Sequence, residues 1–199
     1  MPAMQADGDG RNRQPRGERR REQILEAAVE VFAEQGYRAG GLAALAERVG
    51  MTPPGVLYYF GTKERLLREV VAERDRVDLP TLSDGVRLRD LRLVGSHNEE
   101  TATLTRLFIV LATENLDPDD PLHDFFVERF EAVRALWRQV LRAEQEAGRV
   151  RDDVDVDAVA VEALAVIQGL ELQWLMDPHR IDLAARTSAY VDRLISSLS

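Results

Sequence analysis

Apolar residues recur every three to four positions along most of this chain, and polar or Gly/Pro-rich gaps separate the stripes. That period predicts helices. Ile24, Ala27, Ala28, Val31 and Phe32 stripe a first helix over 18–35, which Gly36 ends and Tyr37 packs at the corner. Leu42, Leu45, Ala46 and Val49 give a short second helix, followed by Gly50 where a left-handed C-terminal residue is wanted. Thr52 can cap a third helix, and Pro53 suits its first position, where no N–H is needed. Phe60 closes this unit, and Thr62 caps a helix running from Lys63 through Leu66, Leu67, Val70 and Val71 to about Arg76. LPTLSDG over 79–85 is a break, from which Asp84 caps a helix over 86–95. A helix over 101–115 carries Leu104, Leu107, Phe108 and Leu111. The turn LDPDDP leads to a long helix over 123–147, with Phe126, Phe130, Val133, Trp137 and Leu141 on one face and Gly148 as its stop. Two further helices follow, over 157–176 and 181–198. The expected fold is all-α, with about nine helices.

Ala46, Gly50 and Val56 stand in the spacing Ala-x3-Gly-x5-Val. A helix-turn-helix needs a small residue where its helices touch, glycine at the turn and a branched residue seating the second helix. With the flanks RREQILEAAVEVFAEQGY and FGTKERLLREVV, this stretch resembles the DNA-binding domain of TetR-family transcriptional regulators over about 19–71. The resemblance implies a three-helix head and a larger helical body that binds an effector and dimerises. It divides the chain into a disordered basic arm (1–17), a helix-turn-helix DNA-binding domain (18–61) and an effector-binding and dimerisation domain (62–199).

The DNA-facing residues expected on this basis are Arg38, Gly41, Thr52, Pro53, Pro54, Tyr58, Tyr59 and Lys63. Residues at the start of the second motif helix meet base edges. Tyr58 and Tyr59 fit phosphate contacts or a thymine methyl, or else core packing. In TetR-like proteins the lysine of an FGTKE-like segment touches the DNA backbone; Lys63 holds that place and is the only lysine in the chain. Two departures stand out. Gly40-Gly41 replaces the threonine or serine usual before the second helix, which leaves only backbone N–H groups for a phosphate and predicts a weaker clamp. Leu57 stands where the family often has tyrosine. With two prolines and no arginine on the reading face, specificity is expected to lean on DNA shape and on the arm.

Charge first argues against nucleic acid, since the net value is −9. The distribution reverses that. Residues 1–80 hold 13 basic and 13 acidic side chains, whereas 81–199 hold 13 and 22. Arg11 to Arg21 contains six arginines and one acid. A neutral head with a basic edge fits DNA held at one end only. The arm, rich in glycine and proline, fits either a DNA-contacting segment or a solvated tail. There is no cysteine, no secretory signal core and no run of about 18 wholly apolar residues. These features predict a soluble cytoplasmic protein with no membrane partner.

In the body, the helix over 157–176 is apolar on two sides. Ala160, Leu164, Ile167 and Trp174 can close a pocket in their own chain. Val161, Ala165, Leu172 and Leu175 can meet a second subunit, joined by Tyr190 and Leu194 of the last helix. The expected ligand-binding residues are Phe108, Leu111, Phe130, Trp137 and Trp174, with Asn115, Gln168 and Glu171 as polar contacts. Glu171, among apolar helical neighbours, favours a cationic or hydroxyl-bearing ligand or pairs with a core arginine. His97, His123 and His179 are isolated, so no metal is expected. Glu99-Glu100 and Asp117 to Asp120 are simplest as solvated turn charges. No nucleophile, acid and base assemble, and no cofactor loop is present, so no enzyme is expected. The partners expected are double-stranded DNA, a small-molecule effector of unknown identity and a second copy of the chain. The competing reading is a ligand carrier or interaction protein whose head no longer binds DNA.

Overall fold

The computed structural model describes residues 16–38, 40–78 and 86–199. Most of the expected arm, and the break at 79–85 with its Asp84 cap, lie outside the described residues. Those residues form nine α-helices and one 3₁₀ turn, with no strand among them. The head is α1 (Arg16–Gln35), α2 (Gly41–Arg48) and α3 (Pro53–Phe60). The helix α4 (Lys63–Asp78) leaves it, and the body follows as a 3₁₀ turn (Leu88–Leu93), α5 (Val94–Glu100), α6 (Ala102–Thr113), α7 (His123–Glu146), α8 (Val156–Met176) and α9 (Leu183–Leu198). Helix α1 begins at Arg16, so it takes in the last two residues of the expected arm.

Two apolar cores hold the molecule. The first joins Ile24, Phe32, Leu45 and Val56 of the head to Leu66, Leu67 and Val70 of α4, and on to Leu107, Leu111 and Phe126 of the body. Head and body therefore share one core across the expected boundary at 61/62, with α6 packed along α1. The second core gathers Leu88, Leu91, Trp137, Leu141, Ala163, Ile167 and Val191 at the far end.

The helix expected over 86–95 is instead a 3₁₀ turn that runs straight into α5. Leu88 and Leu91, three apart, both face the core, as a three-residue period requires. Asp90 closes the turn by accepting from the Arg87 N–H at 2.9 Å. Gly95 does not stop a helix. It lies inside α5, where an added Cβ would fall 2.7 Å from the Leu183 carbonyl oxygen and 2.8 Å from the Thr187 side chain. The glycine lets α5 and α9 touch.

Two acidic groups expected to be solvated are structural. The Glu99 carboxylate accepts from the N–H groups of Leu183 and Ala184 (3.0 and 3.2 Å), which caps α9 together with Asp182. Asp120 accepts from the Asp117 N–H at 3.0 Å and pairs with Arg38 of the head.

By length and composition α8 could cross a membrane, with mean hydropathy 1.4. Its placement fits another role. Ala160, Ala163, Ile167 and Glu171 are buried within the body, while Val161, Val166, Leu172 and Met176 are exposed.

Candidate DNA interface and effector cavity

The α2–α3 turn closes as its sequence dictates. Gly50 takes φ +64°, the Met51 N–H bonds the Ala46 carbonyl at 2.8 Å, and Thr52 Oγ1 accepts from the Gly55 N–H at 3.3 Å. Val56 is fully buried and seats α3 in the head. Pro53 and Pro54 occupy the first turn of α3, and Tyr58, 84% exposed, projects from its open face. Tyr59, half-buried, meets Tyr58 edge to face at 5.5 Å between ring centres. At the next joint, Thr62 Oγ1 accepts from the Arg65 N–H at 3.2 Å. Lys63 Nζ lies 3.7 Å from the centre of the Tyr37 ring, a close cation–π contact.

Arg38 is exposed at the end of the α1–α2 turn and bound to Asp120. Gly41 is buried. A Cβ there would sit 2.6 Å from the Gly36 carbonyl oxygen and 3.1 Å from the Phe32 ring. Its partner Gly40 takes φ +92°, a left-handed conformation. The double glycine is thus the geometry of a tight turn over Phe32.

Two arginines of the basic edge do structural work that the sequence reading missed. Arg20 donates to the Val49 carbonyl at 2.5 Å and so tethers the end of α2. Arg21 pairs with Glu69 of α4 and lies over the Phe60 ring at 4.8 Å. Burial raises the Tyr37 hydroxyl pKa, with the Glu64 and Glu114 carboxylates adding to the effect. Tyr37 therefore stays neutral at every physiological pH.

In the body, a cavity of about 250 Å³ opens between the 3₁₀ turn, α5, α6, α7 and α8. Five of the expected ligand residues line it: Phe108, Phe130, Trp137, Gln168 and Glu171. The other three do not. Leu111 is core packed toward the head. Asn115 is a structural staple, donating to the Leu111 carbonyl at 2.7 Å and accepting from the Leu122 N–H at 3.1 Å. Trp174 faces a separate groove with Glu30 and Arg106.

Glu171 is a carboxylate on the cavity wall. This carboxylate is only 3% exposed and accepts from Asn98 Nδ2. Asn98 is equally buried, and its own carbonyl accepts from Thr105 Oγ1 at 3.1 Å. Asp90, His97 and Arg129 also line the space, with the Arg129 guanidinium 5.4 Å from the Phe108 ring centre. Arg129 was missed, although a charge beside the apolar stripe of α7 was a signal for it. Asn98 and His97 were missed too, because α5 was not foreseen. Among the described residues no group of three His, Cys, Asp or Glu is placed to hold a metal.

The profile of bacterial regulatory proteins of the tetR family matches residues 24–70, and that of the BetI-type transcriptional repressor C-terminal domain matches 99–198. An HTH-type transcriptional repressor of Mycobacterium tuberculosis, Rv1474c, is 30% identical over 167 residues, which span 81% of this chain and 87% of that protein. A putative TetR-family transcriptional regulator from Rhodococcus sp. superposes with TM-score 0.71 at 21% identity, covering 89% of this chain and 99% of that one. A putative transcriptional regulator from Saccharomonospora viridis, solved with choline, superposes with TM-score 0.69 at 21% identity, covering 90% and 96%.

Proposed function

Since the chain belongs to the tetR family of bacterial regulatory proteins and is a DNA-binding transcriptional regulator, we propose that it is a cytoplasmic repressor. In this reading a homodimer holds a palindromic operator, and a small amphipathic effector releases it. The family is one of transcriptional regulators rather than enzymes.

The observation that carries the effector reading is the cavity itself. Its wall is largely apolar and aromatic, the hydrogen-bonded pair Asn98–Glu171 lies in it, and α6 contributes to it while also packing on the head. That arrangement suits a ligand with an apolar body and one polar tip. The buried Glu171 favours a tip that is cationic or donates hydrogen bonds. Phe130 and Trp137 add aromatic surface that suits a quaternary or protonated amine.

On the DNA side, Thr52, Pro53, Pro54 and Tyr58 present the exposed start and open face of α3 to the major groove. Tyr59, Lys63 and Arg38 flank it toward the phosphates, whereas Gly41, buried over Phe32, is left to the turn. An effector releases DNA only if it binds the non-DNA conformation better than the DNA-bound one. Movement of α4 and α6 relative to α1 is the route by which a filled cavity changes head separation.

The test is binding of the purified protein to DNA from upstream of its own gene across a salt series. Tight, sequence-selective binding that falls steeply with salt is expected. Choline and larger amines are the first releasing probes. Sequence-blind binding to that DNA and to operator-scale random libraries would reject the regulator mechanism proposed here.

A further inference from the structure

The α6–α7 joint reaches back to the head through two carboxylates. Glu114, at the end of α6, accepts from the Tyr37 N–H at 2.7 Å and the Arg38 N–H at 3.5 Å. It packs so close to Gly36 that a Cβ there would overlap it. Six residues on, Asp120 holds the Arg38 guanidinium. The carboxylate is well sheltered, its side chain 14% exposed, against 55% for Arg38. Between them the joint is stiff. Asn115 bridges Leu111 to Leu122, and Asp117 accepts from the Asp119 N–H at 3.0 Å.

We propose that Asp120 is a brake on DNA binding: its carboxylate occupies the guanidinium that a DNA phosphate would otherwise take. This rests on the reading of Arg38 as a phosphate contact. A carboxylate and a phosphate compete for the same forked donor. A sheltered carboxylate beside the contact point also repels the incoming phosphate. To grip DNA through Arg38, the head must loosen or share this pair. The brake is attached to the ligand cavity, because Phe108 on the cavity wall and Glu114 at the head are on one short, rigid stretch. An effector that shifts α6 therefore moves Asp120 and Glu114 against the α1–α2 turn, alongside α4, on which α6 also packs. The body thus contributes its own acidic residues to setting operator affinity.

The experiment measures operator binding by fluorescence anisotropy across salt for wild type, Asp120→Asn, Arg38→Gln and the double variant. Asp152→Asn, on the far α7–α8 turn, controls for loss of one negative charge. Asparagine keeps an oxygen to accept from the Asp117 N–H, and matched thermal melts exclude misfolding. Asp120→Asn is expected to bind about two- to fivefold tighter, the range of a partly exposed ion pair. Its salt slope should steepen by up to about one, and Arg38→Gln should weaken binding and flatten the slope by about one. The double variant should match Arg38→Gln. The brake is refuted if Asp120→Asn binds no better than wild type, if its gain survives in the Arg38→Gln background, or if Asp152→Asn gains as much. If Arg38→Gln leaves affinity and slope unchanged, the phosphate reading of Arg38 fails and the brake fails with it. Loss of the brake alone leaves that reading standing.

Discussion

Gly40 and Gly41 show how one residue pair can look like a functional loss and be a packing demand. By resemblance, a hydroxyl is missing where a phosphate clamp belongs. In the structure, Gly41 passes within 2.6 Å (measured from an ideal Cβ) of the Gly36 carbonyl, and Gly40 needs φ +92°. Restoring serine at Gly41 should therefore lower stability by about 1–3 kcal/mol, as overpacking does, rather than strengthen DNA binding. Threonine at Gly40 should add backbone strain of about 1 kcal/mol or more. Denaturant melts of the two single variants check this; tighter operator binding with unchanged stability would contradict it. A second residue-scale prediction concerns acid. Glu144 is buried, and the Arg149 side chain, helped by the Leu88 N–H, holds its carboxyl below the ordinary range against the opposing effect of burial. The folded state thus binds this proton less readily than the unfolded chain. The resulting stability is present above the ordinary carboxylate pKa and lost as pH falls through the lower folded value. Glu144→Gln should cost about 1–2 kcal/mol at neutral pH, and the gap to wild type should close on titration from about pH 5 to pH 3.

At the scale of elements, most helices were legible because their stripes are long and their ends carry their own chemistry. Thr52 before Pro53 and Gly148 after α7 are local signals that the structure uses, whereas the Asp182 cap, which starts α9 at Leu183 rather than 181, was passed over. The region from Arg87 to Glu100 was not legible, since its stops are tertiary. A 3₁₀ turn has no helical stripe, and Gly95 is set by the approach of α9, a segment about 90 residues away in the chain. The cavity was legible where it draws on long helices, as at Phe130, Trp137 and Glu171, and hidden where it draws on α5. Asn115 and Trp174 show the limit of face counting: both sit on a plausible side of their helix, yet one staples a loop and the other faces a different groove. The element-scale prediction follows from Glu171 on the cavity wall. Trp137 and Trp174 are the only tryptophans, so Trp174→Phe leaves Trp137 as sole reporter on the cavity wall. Cationic amphipathic ligands should change its fluorescence. Glu171→Gln in that background should weaken their binding by about tenfold or more, the scale of a lost charge-assisted contact, while leaving ligand-free operator affinity intact. Equal binding to both variants would assign Glu171 to the fold rather than to the ligand.

For the whole molecule, the question is what covers α8. Val161, Leu172 and Met176 are 53%, 47% and 79% exposed on one helix, and Tyr190 and Leu194 of α9 are only partly buried beside it. Large side chains grouped this way on an otherwise charged surface mark a binding face. A second copy of the same pair of helices would complete a four-helix bundle about a two-fold axis. The same axis would set two copies of α3 about one DNA turn apart, so that dimerisation and operator reading become one property. Because Leu172 is half exposed, Leu172→Glu should leave the fold of each subunit nearly untouched while placing a like-charge pair at the subunit contact. Sedimentation should then show a shift from dimer to monomer. Operator affinity should fall by about a hundredfold or more, since the second head no longer benefits from the effective concentration the first provides. Its binding to a half-site should be unchanged. A variant that stayed dimeric, or a monomer that held the full operator as tightly as wild type, would place the subunit interface elsewhere than on α8 and α9.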